Sequence, residues 1–520
     1  MKKNKANNNG STTKQITVNM FFSVLVFALN LVISFCLTPY VTRHFGTEAY
    51  GFVKMADDFT SYAALLSVAL NSMAIRFLML EKERGNTGQA QKYFSSITLA
   101  NVVLAGIMTI PAIICVISLD RFLDIPPVLV HEVKLTFAIT FAGFLLNLFF
   151  TTYGNCYYLT NKLSIGSIGE SIRAILRAIG VIVVFSLASP RISYLSLCTF
   201  IGIVFWIVYS FYFTRKLTPE FRFRFADFEW KKLREVLAAG IWNSITRLSQ
   251  TFTSGLDLLL TNTMVGSLMM GYLSVAKTVP NLVVTFSATI AHVFVPNQMM
   301  LYARNDMEGL KQATKKAVKF MCLFVSIPNA ILVTMGTEFF GLWVPGEPSR
   351  LINILAVLTI INTTITGPAQ ALYPIFTITN KIKQSSLVTI AQAVASLLIT
   401  FVLLKTTDLG VYAVVGVGLM GPLVVTLCYH IPFAAKYIGL PKRTFYPEVG
   451  FSLVSTVVLC AIGFGVNAVM DVGASWLMWF AGACLTGILG LTINTMLIFN
   501  KEERTSFLQA VFSRVKKTRE

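Results

Sequence analysis

Apolar stretches of about 20 residues or more recur along almost the whole chain, and each can cross roughly 30 Å of hydrocarbon. Fourteen spans can be drawn, at roughly 17–41, 50–75, 95–119, 135–158, 164–188, 192–213, 236–262, 268–295, 317–344, 352–378, 385–404, 410–435, 447–470 and 474–499. Lipid offers no partner to an open backbone N–H or C=O, so spans of this kind have to be helices. Only 13% of the residues are charged and 55% are hydrophobic, about half the charge of a soluble domain. No loop exceeds about 25 residues, too little for a soluble catalytic domain. The expected fold is therefore an all-α polytopic membrane protein with about 14 transmembrane helices.

Net charge is +19, which raises nucleic acid as a partner until its distribution is followed. Alternate loops are strongly basic: "RKLTPEFRFRFADFEWKKLRE" (215–235), "RNDMEGLKQATKK" (304–316), "KYIGLPKR" (436–443) and the tail "RVKKTRE". The opposite loops are short and carry acids: Asp120, Asp124, Glu338, Glu347, Asp408 and Asp471. This is the positive-inside pattern, and it puts both termini in the cytoplasm. The basic excess is then topological, and no nucleic-acid role is expected. The first 16 residues are polar and basic, and the run behind them is too long for a signal-peptide core, so an uncleaved first helix is expected. The eight cysteines lie in or beside apolar spans with no CxxC pair and read as small hydrophobes. Four histidines without ligand spacing leave no metal site, and no cofactor is expected.

The phrase "GTEAYGFVKMADDF" (46–59) returns as "GSLMMGYLSVAKTV" (266–279). Gly46, Gly51 and Ala56 fall opposite Gly266, Gly271 and Ala276 at one constant offset, and Ser23, Asn30 and Ser34 fall opposite Asn243, Gln250 and Ser254. An offset that spans six helices gives both halves the same orientation, a parallel repeat. The chain then divides into a cytoplasmic tail (1–16), an N-lobe (17–216), a cytoplasmic amphipathic linker (217–235) and a C-lobe (236–437). Two extra C-terminal helices (438–500) and a basic cytoplasmic tail (501–520) follow. The linker alternates Phe and Arg and is expected to lie on the headgroups.

Helical spacing gathers polar residues into stripes. Asn243, Arg247, Gln250, Ser254 and Asp257 share one face of the seventh span, and Asn19, Ser23, Asn30 and Ser34 one face of the first. Lys54, Asp58, Ser61 and Ser72 line the second, and Lys277, Asn281, Thr285 and His292 the eighth. Four wet faces at repeat-equivalent positions are expected to enclose a central cavity between two six-helix lobes. The fifth span adds Glu170, Arg173 and Arg177 on one side. A cation at mid-membrane costs about 2.5–3.5 kcal/mol on insertion scales, so it should face a cavity and have a partner. Each charge also has a structural reading. Glu170 can simply neutralise Arg173, Arg177 can pair with an acid on another helix, and Arg247 and Asp257 can hold helices together. Lys54 can snorkel outward, and Asp57 and Asp58 can be hydrated.

Arg177, Arg247, Lys54, Lys277 and Arg173 against fewer acids favour an anion, because guanidinium forks match phosphate oxygens. Asn30, Gln250 and Asn243 suit a hydroxyl-rich sugar. Phosphate and sugar together point to a lipid-linked saccharide. "LTPYVTRHFGTEAYGFVKMADDF", "ALNSMAIRF" and "GLDLLLTNTMVGSLMMGYLSVAKTV" resemble bacterial polysaccharide (O-antigen, Wzx-type) flippases of the multidrug/oligosaccharidyl-lipid/polysaccharide exporter superfamily. The resemblance implies a V-shaped cavity and alternating access that carries undecaprenyl-diphosphate-linked oligosaccharide outward across the cytoplasmic membrane, without enzymatic chemistry. Asp57, Asp58, Asp257 and Glu170 are the candidates for H+ or Na+ coupling, and glycan-assembly enzymes are candidate partners. Export of drugs or cations by the same fold, or a membrane glycosyltransferase or polymerase, are the alternative readings.

Overall fold

The computed structural model describes the backbone of residues 2–498 apart from 161, 188–190, 255 and 380, and most of their side chains. The side chains of residues 1–16 and of Asn19, Ser23, Asn30, Ser34, Gln250, Ser254 and His292, and the whole of the tail 501–520, lie outside the described residues. Every described element is helical. In chain order the main helices are α1 (Lys2–Glu83), α2 (Thr87–Phe122), α3 (Val130–Phe150), α4 (Leu163–Leu187), α5 (Ser193–Leu217), α6 (Trp230–Ser254), α7 (Asp257–Met264) and α8 (Ser267–Ala276). They continue as α9 (Thr278–Ala303), α10 (Met307–Trp343), α11 (Ser349–Ile360), α12 (Ile382–Thr406), α13 (Val411–Val425), α14 (Ile431–Tyr437), α15 (Tyr446–Val469) and α16 (Trp476–Ile498).

Among the described residues, 11 helical stretches are long and apolar enough to cross a membrane. These stretches are drawn from the described residues alone, and the first of the 14 spans lies largely outside them. Helices α4 and α6 have 25 residues each but carry Glu170, Arg173 and Arg177 in one and Arg247 in the other. The remaining span is the start of α1, which is helical ahead of the stretch beginning at Leu37.

The two glycines that open the repeat share a conformation. Gly46 breaks α1 with φ +81°, and Gly266 joins α7 to α8 with φ +133°. Both lie where a side chain is strained, so glycine is required at both. The second glycines, Gly51 and Gly271, meet one another. A Cβ on Gly51 would stand 3.0 Å from the Gly271 Cα, and one on Gly271 would stand 2.8 Å from the Glu48 backbone. Missing side chains let helices approach to backbone contact, the usual device for packing where water drives nothing together.

The chain forms two compact units. One runs to Thr251 and includes Leu258–Gly271; the other comprises Phe252–Asp257 and the chain from Tyr272 onward. In the first unit, Asn71 of α1 and Asn101 of α2 exchange amide hydrogen bonds of 3.0 and 2.9 Å, and Asn101 also donates to Thr152 at 3.3 Å. The Asp124 N–H and carbonyl bond the Asn262 amide, both at 3.0 Å. In the second unit α10 is the most enclosed helix. Its Ser326 hydroxyl accepts from Ser455 of α15 at 2.8 Å and from Asn494 of α16 at 3.2 Å, while Asn329 donates to Thr363 and Thr364 at 3.0 Å. Polar side chains thus join helices whose apolar surfaces gain little by leaving lipid.

Between Leu217 and Trp230 the linker carries a turn at 219–220 and one short 3-10 helix, Phe225–Asp227, with extended backbone at Arg224 and Phe228, and α2 holds it. Gln91 accepts from the Arg222 N–H at 3.0 Å, Ser95 from Arg224 N–H at 3.2 Å and Ser96 from Glu229 N–H at 2.9 Å. The Phe–Arg alternation has the two-residue period of an extended strand. Phe221 is buried and stacks on Phe94 at 5.6 Å, while Arg222 and Arg224 are exposed. The 230–235 part of the expected linker forms the opening turns of α6.

Candidate functional site

The membrane-embedded cations fall into two kinds. Arg173 and Lys277 are ion-paired. Arg173 lies 2.7 Å from Glu170, one turn earlier on α4, with its guanidinium over the Trp206 ring at 5.9 Å. Its stem rests on Gly202 of α5, where a Cβ would stand 3.1 Å from the Arg173 Cγ. Lys277 lies 2.7 Å from Asp257, with the two side chains only 12% and 23% exposed. Asp257 opens α7, where a carboxylate also complements the helix dipole.

Arg177 and Lys54 belong to the second kind, and both lie in the first unit. Arg177 occupies the middle of α4, half-buried, with its Nε enclosed and bonded to nothing. It has no ion-pair partner among the described residues. Lys54 is half-buried and stands over the Tyr50 ring at 5.4 Å. The Tyr50 hydroxyl shares a 3.0 Å hydrogen bond with Thr38. Lys54 lies within electrostatic reach of Arg177 and of Asp57. Two cations thus feel one another's field here, with Asp57 exposed beside them and Asp58 half-buried one turn after Lys54. Charges in such surroundings act on an anion more strongly than they would in water, because they are screened less.

Other expected site residues sit differently. Asn243 donates to Ser72 at 3.1 Å, so its amide joins α6 to α1. The same junction is tightened at Gly240, where a Cβ would overlap the Ala69 carbonyl oxygen at 1.8 Å. Arg247 is exposed on α6, and Asp58 is half-buried. Asp57 is exposed, and its backbone carbonyl accepts from Thr60 at 2.8 Å and Ser61 at 3.1 Å. In the second unit, Asn281, Thr285 and Thr289 continue along an exposed face of α9.

The family model described as polysaccharide biosynthesis protein matches residues 16–301, more than half of the chain. The chain belongs to that family. Among curated proteins, this polysaccharide biosynthesis protein is 26% identical over 508 residues to the uncharacterized membrane protein EpsK of Bacillus subtilis (strain 168), covering 97% of this chain and 99% of that one. Among solved structures it resembles the lipid II flippase MurJ in an inward closed conformation, at 15% identity and TM-score 0.67, over 92% of this chain and 98% of that one. It also resembles an inward-facing multidrug resistance MATE family transporter of the MOP superfamily, at 14% identity and TM-score 0.63, over 82% and 97%. At these identities the likeness shows a shared fold. The family member described here is thus a multi-pass membrane protein with the architecture of the MATE and MurJ structures.

Sequence spacing did not reveal Tyr50 beneath Lys54, Trp206 beside Arg173, or Gly240 against Ala69. The signals were present but ambiguous. Gly202 and Trp206 are four apart on α5, so they share a face and form a groove with an aromatic wall. Tyr50 precedes Lys54 by the same interval.

Proposed function

We propose that this polysaccharide biosynthesis protein moves a polyprenyl-diphosphate-linked oligosaccharide from the inner to the outer leaflet of the bacterial cytoplasmic membrane by alternating access. The observation that carries this reading is Arg177, a guanidinium at mid-helix with an enclosed, unbonded Nε. An unsatisfied buried donor costs on the order of 1–3 kcal/mol, and more when charged. A diphosphate that accepts from it recovers that cost in the loaded state. Arg177 and Lys54 form the diphosphate-binding pair in this proposal, with Arg247 contributing from α6 and the neutral polar stripes serving the sugar. Lys277, Arg173, Asp257 and Glu170 act as pairs whose charges are already offset. An outward-moving anion gains about 2.3 kcal/mol per charge for each 100 mV of inside-negative potential. The basic loops face the cytoplasm, and both termini lie on that side. The two repeats begin near residues 17 and 236, with the segment after 438 as an addition to them.

The test reconstitutes the full chain in liposomes with a fluorescent polyprenyl-diphosphate oligosaccharide in one leaflet and follows its appearance in the other. Wild type should accelerate transfer, and Arg177→Gln should abolish the acceleration at equal protein content. Transfer by Arg177→Gln at the wild-type rate would remove Arg177 from the mechanism. Transfer of a cationic dye in place of the lipid would establish the drug-exporter reading.

A further inference from the structure

A second concentration of cations stands in the second unit. The loop from α14 to α15, "KYIGLPKR", and the start of α12 supply Lys436, Lys442, Arg443 and Lys381. Lys436 and Lys442 come from different sides of a turn, yet both stand over one ring, Phe433, at 5.5 and 5.7 Å. Lys381 stands over the adjacent Tyr437 ring at 5.9 Å, and the two rings are 5.9 Å apart. The ring platform is itself stacked, with Tyr429 on Phe433 at 4.7 Å. Beside it opens a cleft of about 560 Å³ lined by Pro432, Lys442, Arg443, Tyr446 and Pro447.

Four cations are thus brought together, and none has a carboxylate partner among the described residues. The nearest acid in sequence is Glu448. It is turned inward, 6% exposed, with one oxygen 2.7 Å from Lys315 of α10. The tyrosine hydroxyls are also engaged, Tyr446 on the Leu427 carbonyl and Tyr437 on Gln384. The positive-inside rule needs only cations in a cytoplasmic loop. It does not require two ammonium groups from different sides of a turn to stand over one ring. A row of aromatic rings below a basic rim is the chemistry of a bilayer interface, with rings at headgroup depth and cations toward the phosphates.

We infer that this cleft binds the phosphate of an anionic phospholipid headgroup, with Lys442 and Arg443 on the phosphate oxygens, Lys436 closing over it and the Phe433–Tyr437 rings beneath. The site is independent of the transport reading: it lies outside the Arg177 and Lys54 cluster and can bind lipid whether or not the chain moves a saccharide.

The test uses the full chain in a neutral detergent, titrated with dioctanoyl phosphatidylglycerol, dioctanoyl phosphatidylcholine or inorganic phosphate, with bound ligand counted by native mass spectrometry. Phosphatidylglycerol should bind at least ten-fold more tightly than phosphatidylcholine. Lys442→Gln with Arg443→Gln should weaken it about ten-fold or more, as expected for two surface cations, while Lys442→Arg keeps it. Removing two cytoplasmic-loop charges elsewhere, Lys231→Gln with Arg304→Gln, should leave binding unchanged. The proposal is overturned if both double variants weaken binding equally, because the field is then unspecific. It is also overturned if inorganic phosphate displaces phosphatidylglycerol at equal concentration, because the site then serves a soluble anion. The far-ultraviolet circular dichroism of each variant must match wild type; for a variant that misfolds, Lys436→Gln with Lys442→Gln replaces it under the same criteria.

Discussion

Arg177 in the first unit and Lys277 in the second are both cations within membrane helices, but the fold treats them oppositely. Lys277 has a carboxylate at 2.7 Å in surroundings that leave it 12% exposed. Arg177 has an enclosed Nε that meets no acceptor. In a low-dielectric medium the first arrangement offsets its own desolvation, and the second leaves it outstanding. A cation already paired gains little from an incoming anion and has to give up its partner first. An unpaired one gains the whole interaction. The contrast therefore separates a charge that holds structure from a charge available for work.

The strongest way to break that contrast is to remove the unpaired charge. Arg177→Gln should lower lipid transfer about 100-fold, close to 3 kcal/mol, the upper range for a hydrogen bond to a charged group. The thermal midpoint of the detergent-solubilised chain should hold or rise, because an unsatisfied donor has been removed. A fall in stability with unchanged transfer would assign Arg177 a structural role. Lys277→Ala should behave in the reverse way. Breaking a buried pair costs roughly 3–5 kcal/mol, and partial exposure here brings the expectation to about 2 kcal/mol. Lys277→Gln combined with Asp257→Asn should recover most of that loss. If the double variant is no more stable than Lys277→Ala, the pair does not stabilise the fold.

How much of this was legible in the sequence depends on which interaction decides each feature. Span length and the ban on open backbone in lipid decide the helices, so their all-α character and order could be read directly. Gly46 and Gly266 could be matched by register, and their shared left-handed geometry follows from residue type. The stripe containing Lys54 and the Glu170–Arg173–Arg177 series were visible as helical spacing. Which of those cations is paired was not visible. Arg173 and Arg177 are four apart on one helix, and only the position of Glu170 one turn from Arg173, with Trp206 closing the groove, separates their fates. Nor can spacing show that Gly240 lets α6 approach Ala69 closely enough for the Asn243 amide to reach Ser72. Phe–Arg alternation suits both an interfacial segment and an extended stretch, and spacing alone does not show what holds it. The decisive partners, Gln91, Ser95 and Ser96, lie more than 100 positions away.

A smaller effect sharpens the same contrast. Arg173 and Glu170 are also 2.7 Å apart, but both are about one-third exposed and belong to one helix. Such a pair contributes about 0.5 kcal/mol or less. Glu170→Gln should barely move the thermal midpoint, and it should also leave Arg173 without its partner. If the unpaired state is what makes a cation bind anions, Glu170→Gln should tighten the apparent affinity for the lipid diphosphate about two-fold. An affinity unchanged by this substitution, beside the large loss expected for Arg177→Gln, would show that position along α4 matters as well as pairing.

The smallest effect belongs to the pair that water reaches. Lys92 and Glu229 are 2.7 Å apart, the same separation as Lys277 and Asp257, yet both side chains are 37% exposed. The hydrogen bond from Lys92 holds the Glu229 carboxyl below its ordinary range. Partial burial opposes the shift, and the charges of Lys92, Lys232 and Lys231 add to it. A carboxyl with a lowered folded-state pKa stabilises the fold at pH above its unfolded value, about 4.3, and loses that contribution as pH falls through the lowered value. The linker should accordingly stay docked on α2 at neutral pH and loosen in acid. Hydrogen exchange of the 219–229 backbone, corrected for the intrinsic rate, should rise modestly between pH 6 and pH 3, and less so in high salt, which screens the pair already at pH 6. Lys92→Met should exchange faster at pH 6 and show less change on acidification, because the interaction that titrates has gone. If wild type and Lys92→Met respond identically to acid, the backbone bonds to Gln91, Ser95 and Ser96 hold the linker alone, and a 2.7 Å ion pair in water contributes nothing where one in the membrane is decisive.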